Sequence, residues 1–202
     1  MEPEITGDEL NIPPLPPLRW NDYYWVATIV LTSWAGFRSR QGRFSSIDES
    51  VTSDGSVNLM IRTPDRKQST PSAEQVAAYQ QLIEQQESIR ETPLEAIFAQ
   101  YPTWREEYIE DYGEEEAEEE IEEVVPDIQR PEQLKELIGL STVHIHTHAK
   151  DGLAYVGYQF GANWDDEHGL GVMTHAGRVV DIGQADTSVL EWIAEEDDED
   201  GE

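Results

Sequence analysis

The sequence predicts an α+β fold, one compact domain with antiparallel strands at both ends and a helical middle. Three observations predict it. A β-branched apolar run, Trp25–Thr32, and an alternating segment, Ser56–Thr63, lie in the first third. Three helix-start patterns follow between Ser72 and Glu106. The last third alternates again around Asp151-Gly152 and Ala176-Gly177, two hairpin-turn dipeptides.

Residues 1–19 read as an acidic, proline-rich tail. Pro13-Pro14-Leu15-Pro16-Pro17 favours extended polyproline backbone, and with Arg19 it spells a Pro-x-x-Pro-x-Arg pattern, a groove ligand or a stiff lead-in. The domain proper is read as residues 20–190. Trp25–Thr32 is long and apolar enough for a strand buried on both faces. In Ser56–Thr63, Val57, Leu59 and Ile61 alternate with Ser56, Asn58 and Arg62, giving a half-buried strand after the turn signal Asp54-Gly55. Ser72 with Gln75 is a capping-box pair ahead of Val76, Tyr79 and Ile83 on one helical face. Thr92-Pro93-Leu94-Glu95 predicts a second helix start, and Thr103 with Glu106, just after Pro102, a third. A short helix over Pro131–Ile138 should stop at Gly139.

The Asp151-Gly152 turn sets a trial register in which paired residue numbers sum to 303. Val143, Ile145, Val156, Tyr158 and Phe160 then share the core face. His144, His146, His148, Tyr155, Gly157 and Gln159 share the other face, which this register leaves in solvent. The second hairpin should join Gly171–His175 to Arg178–Ile182. It is apolar on both faces, so either this chain or a second copy must cover both, and the oligomeric state stays open.

The formal charge is −30, from 43 acidic residues against 13 Lys plus Arg. Residues 106–123 hold 12 acids and no base, and residues 195–202 hold 7 and no base. The first run reads as an acidic insertion and residues 191–202 as an acidic tail, on a body that is moderately acidic. Such a charge excludes direct binding to a nucleic-acid backbone and favours a basic protein as partner. The chain lacks cysteine, which removes disulfide, thiol and thiolate chemistry. The first 20 residues show no secretory pattern and no apolar stretch is long enough for a membrane helix, so a cytoplasmic protein is expected.

Two clusters could carry chemistry. His144, His146 and His148 alternate on one strand, so their imidazoles could chelate zinc or another divalent metal, with His175 or a nearby carboxylate completing the set. Trp164-Asp165-Asp166-Glu167-His168 gathers three carboxylates and an imidazole in a connection between strands, followed by Gly169 and Gly171. It suits a structural turn or a partner-binding loop. Glu167 or Asp165 beside His168 could act as base and orienter, but no hydrolytic nucleophile motif or phosphate-binding loop accompanies them, so no catalytic residue is assigned.

Trp164-Asp165-Asp166-Glu167-His168-Gly169-Leu170-Gly171-Val172 and Ile182-Gly183-Gln184-Ala185-Asp186-Thr187 resemble a bacterial family of domain-of-unknown-function proteins with the pattern W-D-x-E-H-G-L-G-V … I-G-x-A-D-T. Leu31-Thr32-Ser33-Trp34-Ala35-Gly36-Phe37 is similar to that family's opening L-x-S-W-x-G-F. The resemblance spans most of residues 20–190, and neither acidic run belongs to it. It implies a bacterial protein and, by analogy with similar small domains, an immunity-like role against a toxin, with no activity to assign to particular residues. The expectation is a non-enzymatic protein-interaction module with Trp164–His168 as its specific loop. A metal-binding domain or metal-dependent enzyme built on the histidines is the alternative.

Overall fold

The computed structural model describes residues 7–39, 48–113 and 117–199. Its strands are β1 (Glu9–Leu10), β2 (Leu18–Trp20), β3 (Tyr24–Val30), β4 (Arg38–Ser39), β5 (Asp48–Thr52), β6 (Ser56–Arg62), β7 (Ile138–Lys150), β8 (Leu153–Ala162), β9 (Asp165–His175) and β10 (Arg178–Gly183). The helices are α1 (Ala73–Glu84), α2 (Gln86–Tyr112), α3 (Glu118–Val124) and α4 (Glu191–Glu199). Eight strands form one sheet in the order β1-β2-β3-β6-β7-β8-β9-β10, and β4 pairs with β5 apart from it. The expected terminal strand groups therefore fuse. The join is the parallel pairing of β6 with β7, Asn58 opposite Thr142 through Ile61 opposite Ile145, and every other neighbour is antiparallel. A parallel neighbour needs a crossover, which the helical middle provides.

One face of the sheet is covered by α1 and α2, and the C-terminal segment covers the β8–β9 part of the other. Ala78, Tyr79 and Leu82 of α1 and Leu94, Ile97 and Tyr101 of α2 pack on Trp25, Leu59, Ile61, Val143, Ile145, Tyr158 and Phe160. On the opposite face a 3-10 turn, Ala185–Ser188, and then α4 lie over Tyr155 and Met173, both fully buried with Ile193 and Ala194. In the last hairpin Val172 and Met173 are buried by this chain, while Val179, Val180 and Ile182 of β10 are half-buried. No helix among the described residues is long and apolar enough to cross a membrane.

Several elements form as the sequence predicts. Ser72 and Gln75 make the capping box, and the amide of Gln75 also donates to the carbonyls of Arg62 (2.7 Å) and His146 (2.9 Å). One buried side chain thereby ties the start of α1 to β6 and β7. Asp151-Gly152 and Ala176-Gly177 have positive φ at all four residues, as two-residue type I′ hairpins require.

Other expectations are corrected. Leu10, Leu15 and Leu18 are buried, so described residues 7–19 form the sheet's edge, and the Pro-x-x-Pro-x-Arg segment is not a free ligand. In β3 only Trp25 and Ile29 are buried while Thr28 and Val30 are exposed, so that strand is one-sided. Thr92 and Thr103 start no helices, because α2 runs through Pro93 and Pro102 without a break. Each proline removes one backbone donor, but Pro93, Leu94, Ile97 and Tyr101 are buried, and that packing carries the helix across. Thr92 Oγ1 donates instead to the Gly177 carbonyl (3.1 Å). Pro131–Glu136 is a 3-10 turn, and Gly139 lies inside β7 rather than closing a helix. Within the acidic run, residues 106–112 continue α2, and Ile121 of α3 is buried.

The C-terminal acidic tail is corrected most. Residues 191–199 are helix α4, clasped to the sheet by its own acids. Asp197 accepts from the Tyr155 hydroxyl (2.7 Å) and pairs with Arg178, while Asp198 pairs with Lys150 (3.3 Å) and His148 (3.2 Å). The Arg178 and Tyr155 donors hold the Asp197 carboxyl below its ordinary range, and burial and the Asp197 carboxylate push the Tyr155 hydroxyl up. Replacing Asp197 with Ala strands that hydroxyl, so Asp197→Ala should lower stability by about 1–3 kcal/mol and speed amide exchange in α4. Urea denaturation with hydrogen exchange measures both, and unchanged exchange in α4 would show that the clasp contributes nothing.

Candidate functional site

The histidine strand is set by a bulge in β7. The register sum of 303 holds at Lys150–Leu153 and Ala149–Ala154, then slips by two, so that Ile145 faces Val156 and His144 faces Gly157. An even slip keeps Val143 and Ile145 on their expected face, and although the register shifts by one more residue between Thr142 and Leu140, Val143, Ile145, Val156, Tyr158 and Phe160 are core residues as predicted. Solvent exposure of the other face is overturned. His144 and His146 are 8% and 1% exposed, because the 185–188 turn and its continuation close over them. Gly157 leaves no opening for a ligand, since the backbone of Ser188 occupies the space beside it.

Each imidazole of this group has a separate partner. His144 Nε2 bonds the Gln159 side-chain oxygen (3.0 Å), and His146 Nε2 donates to the Ser188 carbonyl (2.9 Å). His148 meets Asp198 on α4. His175 Nε2 bonds the carbonyls of Lys150 (3.1 Å) and Leu153 (3.2 Å) while its ring stacks on Tyr155 at 4.3 Å. Among the described residues, no three His, Asp or Glu side chains stand together as a metal ion requires. Burial lowers the pKa of His144 to about 4 and of His146 to about 3, so both rings are neutral across the physiological range.

The second cluster lies elsewhere, at the rim of the sheet. It is not a loop between strands, since Asp165 and Leu170 both pair within the sheet. Phe160 and Ala162 of β8 face Leu170 and Asp165 of β9, so residues 166–169 bulge out of the ladder. The bulge turns at Gly169 (φ 63°), and the Asp165 carboxylate accepts from the His168 amide (2.8 Å) and meets its Nδ1 at 3.2 Å. Asp166, Glu167 and His168 are exposed, whereas Trp164 is half-buried, stacked on Trp104 at 5.5 Å and edge-on to Tyr101 at 5.2 Å. This ring contact fixes the bulge against α2.

Between the bulge and the C-terminal turns of α2 runs an open groove of about 480 Å³. One wall is Trp164 to Leu170. The other is Trp104, Glu107, Tyr108, Asp111 and Tyr112, and Gly183 and Gln184 close the end. Trp164, Asp165, Asp166, Glu167 and His168 are thus brought together as one surface. The α2 wall was missed by the sequence reading, although Trp104, Tyr108 and Tyr112 recur at four-residue steps and so share a helical face. The groove carries five carboxylates and four aromatic rings. Among the described residues its lining contains no Lys or Arg, and its one imidazole is held by Asp165. Chemically it can hold a cation that also offers an apolar or planar surface.

No curated protein and no solved structure matches the chain. A family described as Domain of unknown function (DUF6985) matches residues 32–190, a span that contains the bulge, the α2 wall and the buried histidines, and the chain belongs to that family.

Proposed function

We propose that the protein is a non-enzymatic interaction module that takes a basic segment of a partner protein into the groove between α2 and the Trp164–Leu170 bulge. The observation that carries this reading is the groove's lining: five carboxylates beside four aromatic rings, with no Lys or Arg among its described residues. A concave surface lined by charges of one sign focuses the field and raises the local concentration of a cationic guest. The total charge of −30 draws such a partner from a distance, and the groove selects its register. In a bacterial cytoplasm the immunity-like form of this function would have a basic toxin as the partner.

The test compares the wild type with a Glu107→Gln/Asp111→Asn/Asp166→Asn/Glu167→Gln variant in binding a panel of purified basic proteins at low and high salt. All four positions are exposed, so the fold should be retained. The wild type should bind at low salt and weaken as salt rises, and the variant should lose at least tenfold in affinity. Equal binding by both proteins would place the partner elsewhere on the surface and end this proposal.

A further inference from the structure

The groove is built from repeated pairs of a ring and a carboxylate adjacent in sequence. Glu107-Tyr108 and Asp111-Tyr112 supply two such pairs on successive turns of α2, and Trp164-Asp165 supplies a third from the opposite wall. Trp104 and Trp164 stack on each other with 21° between ring planes and so join the two walls. Tyr112 is 46% exposed and packs on Tyr108 at 4.7 Å.

From this arrangement we infer that the groove reads arginine: its occupant is an arginine-bearing segment whose guanidinium groups lie on the ring faces and fork onto the neighbouring carboxylates. This rests on the proposed binding of a basic segment and names the side chain that is selected. A lysine ammonium is a compact, strongly hydrated point charge, and it gains from the carboxylates alone. A guanidinium is planar and weakly hydrated, stacks on aromatic faces and donates two parallel hydrogen bonds to one carboxylate. A site with carboxylates only would attract both cations alike. Interleaved rings add a contact that favours the planar one.

The experiment titrates the full chain with an arginine–glycine repeat peptide and a lysine–glycine repeat of the same length and charge. Affinity is followed by calorimetry and by tryptophan emission, to which Trp104 and Trp164 contribute among the six tryptophans. The arginine peptide should bind roughly tenfold more tightly, and the ratio should survive added salt because stacking is not screened. Tyr112→Leu, at an exposed position, should reduce the arginine-to-lysine ratio roughly threefold with little effect on lysine binding. Trp104→Leu should reduce it further. Equal affinity for the two peptides, or a ratio unmoved in Tyr112→Leu, overturns arginine selection and leaves the basic-partner reading standing. Failure of both peptides to bind overturns that reading and the arginine inference together.

Discussion

Gly157→Ala should destabilise the protein by about 2–4 kcal/mol, the scale of overpacking against atoms that cannot move aside. A Cβ at this position would fall 2.9 Å from Ser188 Cα and 2.7 Å from its carbonyl carbon, and closer still to the carbonyl oxygen. The obstacle is backbone, held three ways. Ser188 Oγ donates to the Ala185 carbonyl (2.6 Å), the Thr187 amide donates to Gln184 (2.9 Å), and His146 donates to the Ser188 carbonyl. Relieving the clash means lifting the turn, which unpairs His146 and disturbs Gly171, whose own Cβ position lies 2.8 Å from the Ser188 amide nitrogen. For a chain of this size the melting temperature should drop by roughly 5–15 °C. Gly152→Ala is the control: nothing lies within 4 Å of its Cβ position, so only its positive φ of 79° opposes the change, at about 1 kcal/mol. Urea melts that place Gly157→Ala within about 0.5 kcal/mol of Gly152→Ala would show that the turn does not rest on the sheet.

The second large effect is acid sensitivity from His144 and His146. Around them stand Arg62 on β6, Gln159 on β8, the Ser188 carbonyl and His148, with Arg62 and the neighbouring imidazoles adding repulsion to the cost of burial. Both folded-state pKa values lie below the ordinary 6.5, at about 4 and about 3. Between those values and 6.5 the unfolded chain binds protons that the native state refuses. Stability therefore falls as pH drops below about 6.5, and the loss is complete only below the folded values. Each ring accounts for about 3–5 kcal/mol, since one pKa unit is about 1.4 kcal/mol. The unfolding free energy from urea melts should fall with a slope approaching two protons between about pH 6 and pH 5. His146→Gln keeps a donor for Ser188 and should remove one of them. Parallel pH profiles for wild type and His146→Gln would mean that His146 is not a source of the acid sensitivity.

What the sequence made legible was local. The Ser72–Gln75 capping box, the two I′ turns and the alternation in Ser56–Thr63 depend on residues a few positions apart, and each appears in the structure. The face assignment of β7 and β8 also came through, because the bulge after Ile145 shifts the register by two rather than one. What failed depends on a distant cover. Nothing near His146 announces that Ser188 closes over it, and the acids of α4 read as solvated until Arg178, Lys150 and Tyr155 are brought beneath them. Pro93 and Pro102 marked helix ends by local rules that the packing of Leu94, Ile97 and Tyr101 overrides. Half of the groove was visible in Trp164–His168. The other half was hidden by charge, because Glu107 and Asp111 sit in a run whose composition masks the face they share with the three rings.

The parallel join of β6 to β7 has a consequence for the order of assembly. The hairpins β7–β8, β8–β9 and β9–β10 close over short turns, whereas the β6–β7 pairing must close the whole stretch from Arg62 to Ile138. Loop-closure entropy places such a contact late, after the local hairpins have formed. The two walls of the groove lie on opposite sides of that closure, α2 within the crossover and the bulge within the hairpins. A nascent or partly folded chain can thus display Trp164–His168 without a groove, and binding competence arrives only with the completed domain.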